Sequence, residues 1–315
     1  MARLFKEKIF VTGHNGMLGS SVIRMMENKK IKNILVADKK KLDLLNQKDV
    51  FNFLKKEKPK YIINCAAKVG GIKVNSQKSA VFLYENLQIQ NNIIHGAYLN
   101  KVSKLITFGS SCIYPRKAKQ PIKENYLLSS QLEKTNEFYA LAKISGAKMC
   151  EAYNKQYKTN FLCLMPSNLF GPNDNYNLET SHFIPALIKK IYLAKKKKLK
   201  TIKLWGTGKV KREVMHVDDL ACASLFFLKK KTNHSIINVG SGFEKNILTF
   251  ANLIKKQIFP NLRINFDKDS YMSGTPRKRL DLNLSRKYGW HSKISFDEGL
   301  RHTLKDFNLN LKKYL

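Results

Sequence analysis

The chain has 315 residues, 43% of them hydrophobic, and a formal net charge of +35. It is long enough to bury a sizeable core as one large or two unequal domains, and no apolar run approaches the roughly 20 residues of a membrane span. Lysine is spread along the whole sequence, with residues 195–198 the one dense run, so the charge reads as solvated faces that attract a polyanionic small molecule and not as a nucleic-acid surface.

The five cysteines, Cys65, Cys112, Cys150, Cys163 and Cys222, are scattered and form no Cys-x-x-Cys pair. That pattern suits a reducing cytoplasm and argues against a disulfide frame or a zinc knuckle. Met1 to Lys6 passes straight into a strand, so no signal peptide is expected.

Residues 8–11 read as a short β run, followed by Thr12-Gly13-His14-Asn15-Gly16-Met17-Leu18-Gly19 and an amphipathic helix to about Asn28. This is Gly-x-x-Gly-x-x-Gly placed strand, loop, helix. Gly13 permits the turn, Gly16 lets backbone approach a pyrophosphate, and Gly19 allows close helix–strand packing. The helix N-terminus adds N–H donors and partial positive charge, so a dinucleotide site is predicted here.

Residues 34–37 read as the second strand, ending at Asp38 and then Lys39-Lys40-Lys41. An acid there takes the ribose hydroxyls of NAD, whereas nearby cations favour the 2′-phosphate of NADP, and the two signals conflict. Asp43 either approaches the adenine end or caps a helix. Residues 61–64 form the third strand, leading to the small residues of Cys65-Ala66-Ala67-Lys68-Val69-Gly70-Gly71. In the predicted helix over 80–100, Asn86 is either a buried structural tie or a catalytic group.

Residues 104–108 read as a buried strand, so Gly109-Ser110-Ser111-Cys112-Ile113-Tyr114-Pro115 leaves its carboxyl end, where open α/β sheets place ligands. Tyr139 and Lys143 stand four apart in a helical run to about Gln156 and share one face. A hydroxyl, a phenol and an ammonium so placed can move a proton to or from a carbonyl. The phenol's reference pKa is about 10, and a lysine cation nearby is expected to lower it.

Residues 160–165 form the next strand, ending Pro166-Ser167-Asn168-Leu169-Phe170-Gly171-Pro172. Residues 173–208 read as broken by loops where a substrate domain is inserted, and 212–219 and 236–240 as returns to the main sheet. A helix is predicted over 249–257, and a mixed, helical tail from 271. The alternation implies right-handed crossovers and a parallel sheet. The expected fold is α/β: a Rossmann-type doubly wound sheet over 1–170, with returns near 210–245, and a smaller C-terminal α/β substrate-binding domain over 171–315.

With these residues in view, the chain resembles the extended short-chain dehydrogenase/reductases from about residue 8 to 300, through its glycine loop, Tyr139-x-x-x-Lys143 and Arg212-Glu213…His216-Val217-Asp218-Asp219. Ala67 to Gly71, Gly109 to Pro115, Thr135-Asn136-Glu137, Ser181-His182-Phe183-Ile184-Pro185 and Gly274-Thr275-Pro276-Arg277 are similar to members acting on GDP-linked 4-keto-6-deoxy sugars. Dehydratase members tend to carry Asp-Glu after the catalytic Ser/Thr, where this chain has Ser111-Cys112.

The resemblance implies 3,5-epimerisation of GDP-4-keto-6-deoxy-D-mannose followed by NADPH-dependent reduction of its 4-keto group, with another nucleotide-linked 4-keto-6-deoxy sugar as the alternative. It implies Ser110, Tyr139 and Lys143 as the hydride-transfer triad, Lys143 also holding the nicotinamide ribose. Cys112 and His182 would be the epimerisation acid/base pair, and both groups, with reference pKa values of about 8.5 and 6.5, exchange protons near neutrality. Gly13, Asn15, Gly16, Met17, Leu18, Gly19, Asp38, Lys39, Pro166, Asn168, Leu169 and His182 would touch NADP(H). Lys190, Trp205, Arg212 and Ser273 would hold the GDP-sugar. Asn15 stands where relatives often have an arginine, and Ser273 where they tend to have an acid. A homodimer built on the 80–100 and 139–156 helices is also implied. No third ligand has metal-site spacing.

Overall fold

The computed structural model describes residues 6–267 and 274–315. In chain order the first half runs β1 (Ile9–Thr12), α1 (Met17–Asn28), β2 (Ile34–Leu35), α2 (Gln47–Glu57), β3 (Tyr61–Asn64), α3 (Ile72–Gln77), α4 (Ser79–Leu99), β4 (Lys104–Phe108), α5 (Glu137–Tyr157) and β5 (Phe161–Pro166). The second half runs β6 (Asn168–Phe170), α6 (Phe183–Lys196), β7 (Thr201–Trp205), β8 (Lys211–His216), α7 (Val217–Lys229), β9 (Ile236–Val239), β10 (Glu244–Asn246) and α8 (Ile247–Ile258). It closes with β11 (Arg263–Asp267), β12 (Arg277–Lys278), α9 (Asn283–Lys287), α10 (Phe296–Leu309) and α11 (Leu311–Tyr314).

Six strands form one parallel sheet in the order β2-β1-β3-β4-β5-β9. Its strands are apolar on both faces because both faces are covered. Val11, Ile63, Ile106 and Leu164 pack with residues of α1 and α7, while Phe10, Ile62, Leu105 and Phe161 pack with residues of α2, α4 and α5. The strand order reverses between β1 and β3, which opens a crevice beyond their carboxyl ends. A second core, including Ile188, Phe250, Phe296 and Leu300, joins α6, α8 and α10.

Two expectations are corrected. The 173–208 stretch is not mainly loop, because it holds α6 and β7. Ile184, Leu187, Ile188, Ile191 and Ala194 line up on one buried helix face, and Pro185 falls in the first turn, where its missing N–H costs nothing. Nor does the run from Arg212 return to the main sheet. β8 pairs with β6, β10 and β12 in a small separate sheet, and β9 alone rejoins the large one. An apolar strand pattern states that a segment is buried and leaves its partner open.

Candidate active site

A single cleft of about 1310 Å³ runs from the glycine loop to Trp205 and Arg212. At its dinucleotide end Gly13 adopts φ +61, and a Cβ there would lie 2.8 Å from the Ala66 Cα. A Cβ on Gly19 would collide with the Gly13 carbonyl. The Thr12 hydroxyl donates to Asn64 Oδ1 at 2.6 Å and accepts from the Ala66 N–H at 3.1 Å, which stitches β1 to β3 at the point where the sheet order reverses. Gly16 begins α1 without a side-chain cap, so the first-turn N–H groups have no side-chain acceptor. A glycine cradle against an uncapped helix N-terminus has the chemistry a pyrophosphate requires, and a dinucleotide fits these residues.

Asn15, Met17, Leu18, Asp38, Lys39, Pro166, Asn168 and Leu169 all line the same cleft. Asp38 accepts the Lys41 N–H at 3.0 Å and so closes its own turn. The Asn168 amide donates to the Glu213 carbonyl at 2.9 Å, tying β6 to β8. Asn86 is a structural tie: it accepts from the Lys68 N–H at 2.9 Å and donates to the Lys68 carbonyl at 3.0 Å and the Phe82 carbonyl at 2.7 Å. It holds the small-residue loop after β3 in place.

Beyond β4 the chain makes one 3₁₀ turn, Ser111–Ile113, and the Ser110 hydroxyl caps it by accepting the Cys112 N–H at 3.1 Å. The cap carries Ser110 and Cys112 to the cleft together. Tyr139 and Lys143 reach it from α5, one turn apart. Lys143 is buried and donates to the Phe108 carbonyl at 2.9 Å, and burial lowers its ammonium to about 8.

The phenol does not behave as expected. Burial pushes Tyr139 up, the negative charge of an ionised Cys112 adds to that, and the Ser110 hydroxyl offsets only part of it. Desolvation outweighs any help from Lys143, so Tyr139 stands protonated, a donor aimed into the cleft.

Cys112 goes the other way. Burial raises its thiol, but the Lys278 ammonium, the Ser110 hydroxyl and the Arg212 guanidinium together bring it below its ordinary value. The Lys278 Nζ–Cys112 Sγ distance is 3.2 Å. His182 occupies the N-cap position of α6 without capping it, and its ring is open to the cleft. Its surroundings of protein atoms, and then the charge of Lys278, hold the imidazole below its usual range and therefore neutral.

At the far end the Lys190 ammonium sits 4.9 Å from the centre of the Trp205 ring. Arg212 is buried and donates to the Thr275 carbonyl at 2.7 Å. Ser273 lies outside the described residues. Among the described residues, the buried Asn75 Oδ1, Asn136 Oδ1, Ser167 Oγ, Asp174 Oδ2, Tyr176 OH and Ser181 Oγ have no hydrogen-bond partner, and all six residues line the cleft. Buried polar atoms are normally satisfied, so this concentration marks where a polar ligand would supply the partners.

The sequence reading missed Lys278. The signal was its position one residue beyond Gly274-Thr275-Pro276-Arg277, but nothing in that motif links it to a cysteine 166 residues away.

Residues 9–240 match the model of the NAD dependent epimerase/dehydratase family. A GDP-L-fucose synthase from Sinorhizobium fredii is 44% identical over 97% of this chain and 96% of its own length. The GDP-L-fucose synthase of Escherichia coli is 40% identical, over 98% of this chain and 99% of its own. Among solved structures, a GDP-mannoheptose C4 reductase from Campylobacter jejuni with NADP bound superposes with a TM-score of 0.87 at 34% identity, covering 96% of this chain and 98% of that one.

Proposed function

The chain belongs to the NAD dependent epimerase/dehydratase family, and we propose that it inverts C3 and C5 of GDP-4-keto-6-deoxy-D-mannose and then reduces the 4-keto group with NADPH to give GDP-L-fucose. The observation that carries this reading is the meeting of Ser110, Cys112, Tyr139, Lys143 and His182 in one cleft beside the glycine cradle.

Inversion beside a ketone needs a base to remove a carbon-bound proton and an acid to return one to the opposite face. Cys112, biased toward thiolate, is the base. His182, neutral in the free protein and open to the cleft, takes up a proton from solvent and delivers it. The C4 oxygen gains negative charge in both stages. Ser110 and the protonated Tyr139 donate to that oxygen, so one preformed arrangement stabilises the enolate during inversion and the alkoxide during reduction. Tyr139 then gives up its proton, and the Lys143 ammonium stabilises the phenolate left behind. NADP(H), when bound, supplies the hydride. Asp38 and Lys39 both line the cleft, but one Asp38 oxygen is engaged by the Lys41 N–H of its own turn, which leaves the Lys39 cation to favour a 2′-phosphate at this end.

Lys190, Trp205 and Arg212 hold the GDP portion: Trp205 and Lys190 offer a stacking ring with a cation over it, and Arg212 supplies charge for the diphosphate. We also infer a homodimer through α4 and α5, whose outer faces leave Tyr84, Phe138 and Leu141 exposed.

NADPH consumption with GDP-4-keto-6-deoxy-D-mannose, with the product identified, tests the reading. Turnover confined to a GDP-linked heptose would move the protein to the reaction of its C. jejuni structural neighbour.

A further inference from the structure

The cleft contains a buried cation with an unusual acceptor. Lys278 is 8% exposed, and among the described residues its one recorded hydrogen bond is to the Cys112 sulfur at 3.2 Å. No carboxylate among the described residues forms an ion pair with it, although a buried charge is normally paired. A neutral thiol is a weak acceptor, whereas a thiolate beside an ammonium makes a charge-assisted pair.

The backbone around Lys278 is pinned from both sides. Arg277 forms a two-pronged pair with Glu244, at 2.9 and 2.7 Å. The Arg279 N–H donates to Gln120 Oε1 at 2.8 Å, and the Leu280 N–H to the buried Glu213 carboxylate at 2.8 Å. In the β12–β8 ladder Lys278 lies opposite Arg212, and register partners project to the same face, so two cations address Cys112 from one small sheet. Among the described residues, the Ser110 hydroxyl and the Tyr139 phenol also face the sulfur, with His182 feeling the same Lys278 charge and Arg212 the charge of Glu133.

We propose that Lys278 is a positioning residue that holds Cys112 as the resting thiolate, ready to act as the base described above. This rests on the epimerase reading above. It also explains why a buried lysine stands one residue past a substrate-domain motif with no acid among the described residues to meet it.

The test uses the full chain. Alkylation of Cys112 by iodoacetamide is followed by peptide mass spectrometry across neutral and alkaline pH, in wild type, Lys278→Met and Lys278→Arg. Burial raises the other four thiols, Cys65, Cys150, Cys163 and Cys222, so the site can be read separately. An opposite charge in contact favours the ionised form by roughly tenfold or more. At neutral pH the Cys112 rate should therefore fall at least about tenfold in Lys278→Met, with the profile displaced to higher pH, and recover in Lys278→Arg. A free thiol titrates at about 8.5, and wild-type Cys112 titrating above about 7, so that it rests mainly as the thiol at neutral pH, overturns the proposal without any variant. So does a Lys278→Met profile that overlays the wild type. Deuterium exchange into the sugar should fall in parallel and recover as pH rises; full exchange in a variant whose thiol has moved overturns it too. Alkylation needs no sugar, so a shifted thiol in a wild-type protein that exchanges nothing would reject the epimerase reading instead.

Discussion

The Lys143 ammonium donates to the carbonyl oxygen of Phe108, 2.9 Å away at the end of β4, and so is anchored to the strand from which Ser110 and Cys112 emerge. One residue on α5 thereby fixes the distance between the helix carrying Tyr139 and the turn carrying the thiol. The anchor is a neutral acceptor in a buried site, which is why the ammonium is held only to about pH 8.

That value sets the alkaline limit of reduction. A lysine loses its charge as pH rises through its pKa, so kcat/KM for NADPH oxidation should fall above about pH 8. Lys143→Arg keeps a cation at all relevant pH and should remove this limb, while Lys143→Met should lose roughly a hundredfold or more at neutral pH. A wild-type profile that stays level well above pH 8 would contradict the assignment.

Trp205 is 54% exposed, with the Lys190 ammonium over its ring. A base stacked on an aromatic ring gains about 1–3 kcal/mol, so Trp205→Ala should raise KM for the GDP-sugar roughly fivefold or more. The kcat should stay put, because the contact is the same in ground and transition states. Steady-state kinetics at saturating NADPH make the distinction, and a fall in kcat with KM unchanged would place Trp205 elsewhere in the mechanism.

The reading of α4 and α5 as a dimer face predicts that Tyr84→Glu with Leu141→Glu yields a monomer in light scattering while cofactor binding persists. Both positions are exposed, at 63% and 39%, and each new carboxylate would have to be desolvated in the interface. A wild-type protein that is already monomeric removes the idea.

The parts of this site legible in the sequence were those whose logic is local. Gly13, Gly16 and Gly19 sit within one loop, and Tyr139 and Lys143 share one helix face, so spacing alone brought each set together. The direction of the Tyr139 shift was not legible. Spacing announces a nearby lysine, but it cannot weigh that charge against the burial which keeps the phenol protonated. Lys278 was out of reach for another reason: its contact with Cys112 depends on β12 pairing with β8, a register that no periodicity specifies. The misassigned return of Arg212 to the main sheet has the same origin, since β8 found its partners in β6, β10 and β12. The helix behind His182 was obscured by the prolines and glycines around it, although its buried stripe was there to be counted.

The most direct measurement is NMR of GDP-4-keto-6-deoxy-D-mannose incubated with the protein in D₂O without NADPH. Wild type should place deuterium at both C3 and C5, and Cys112→Ser should place it at neither while binding NADPH as tightly as before. NADPH-dependent reduction at C4 with no exchange at either carbon, or exchange undiminished in Cys112→Ser, would contradict a thiol base and leave an ordinary ketone reductase.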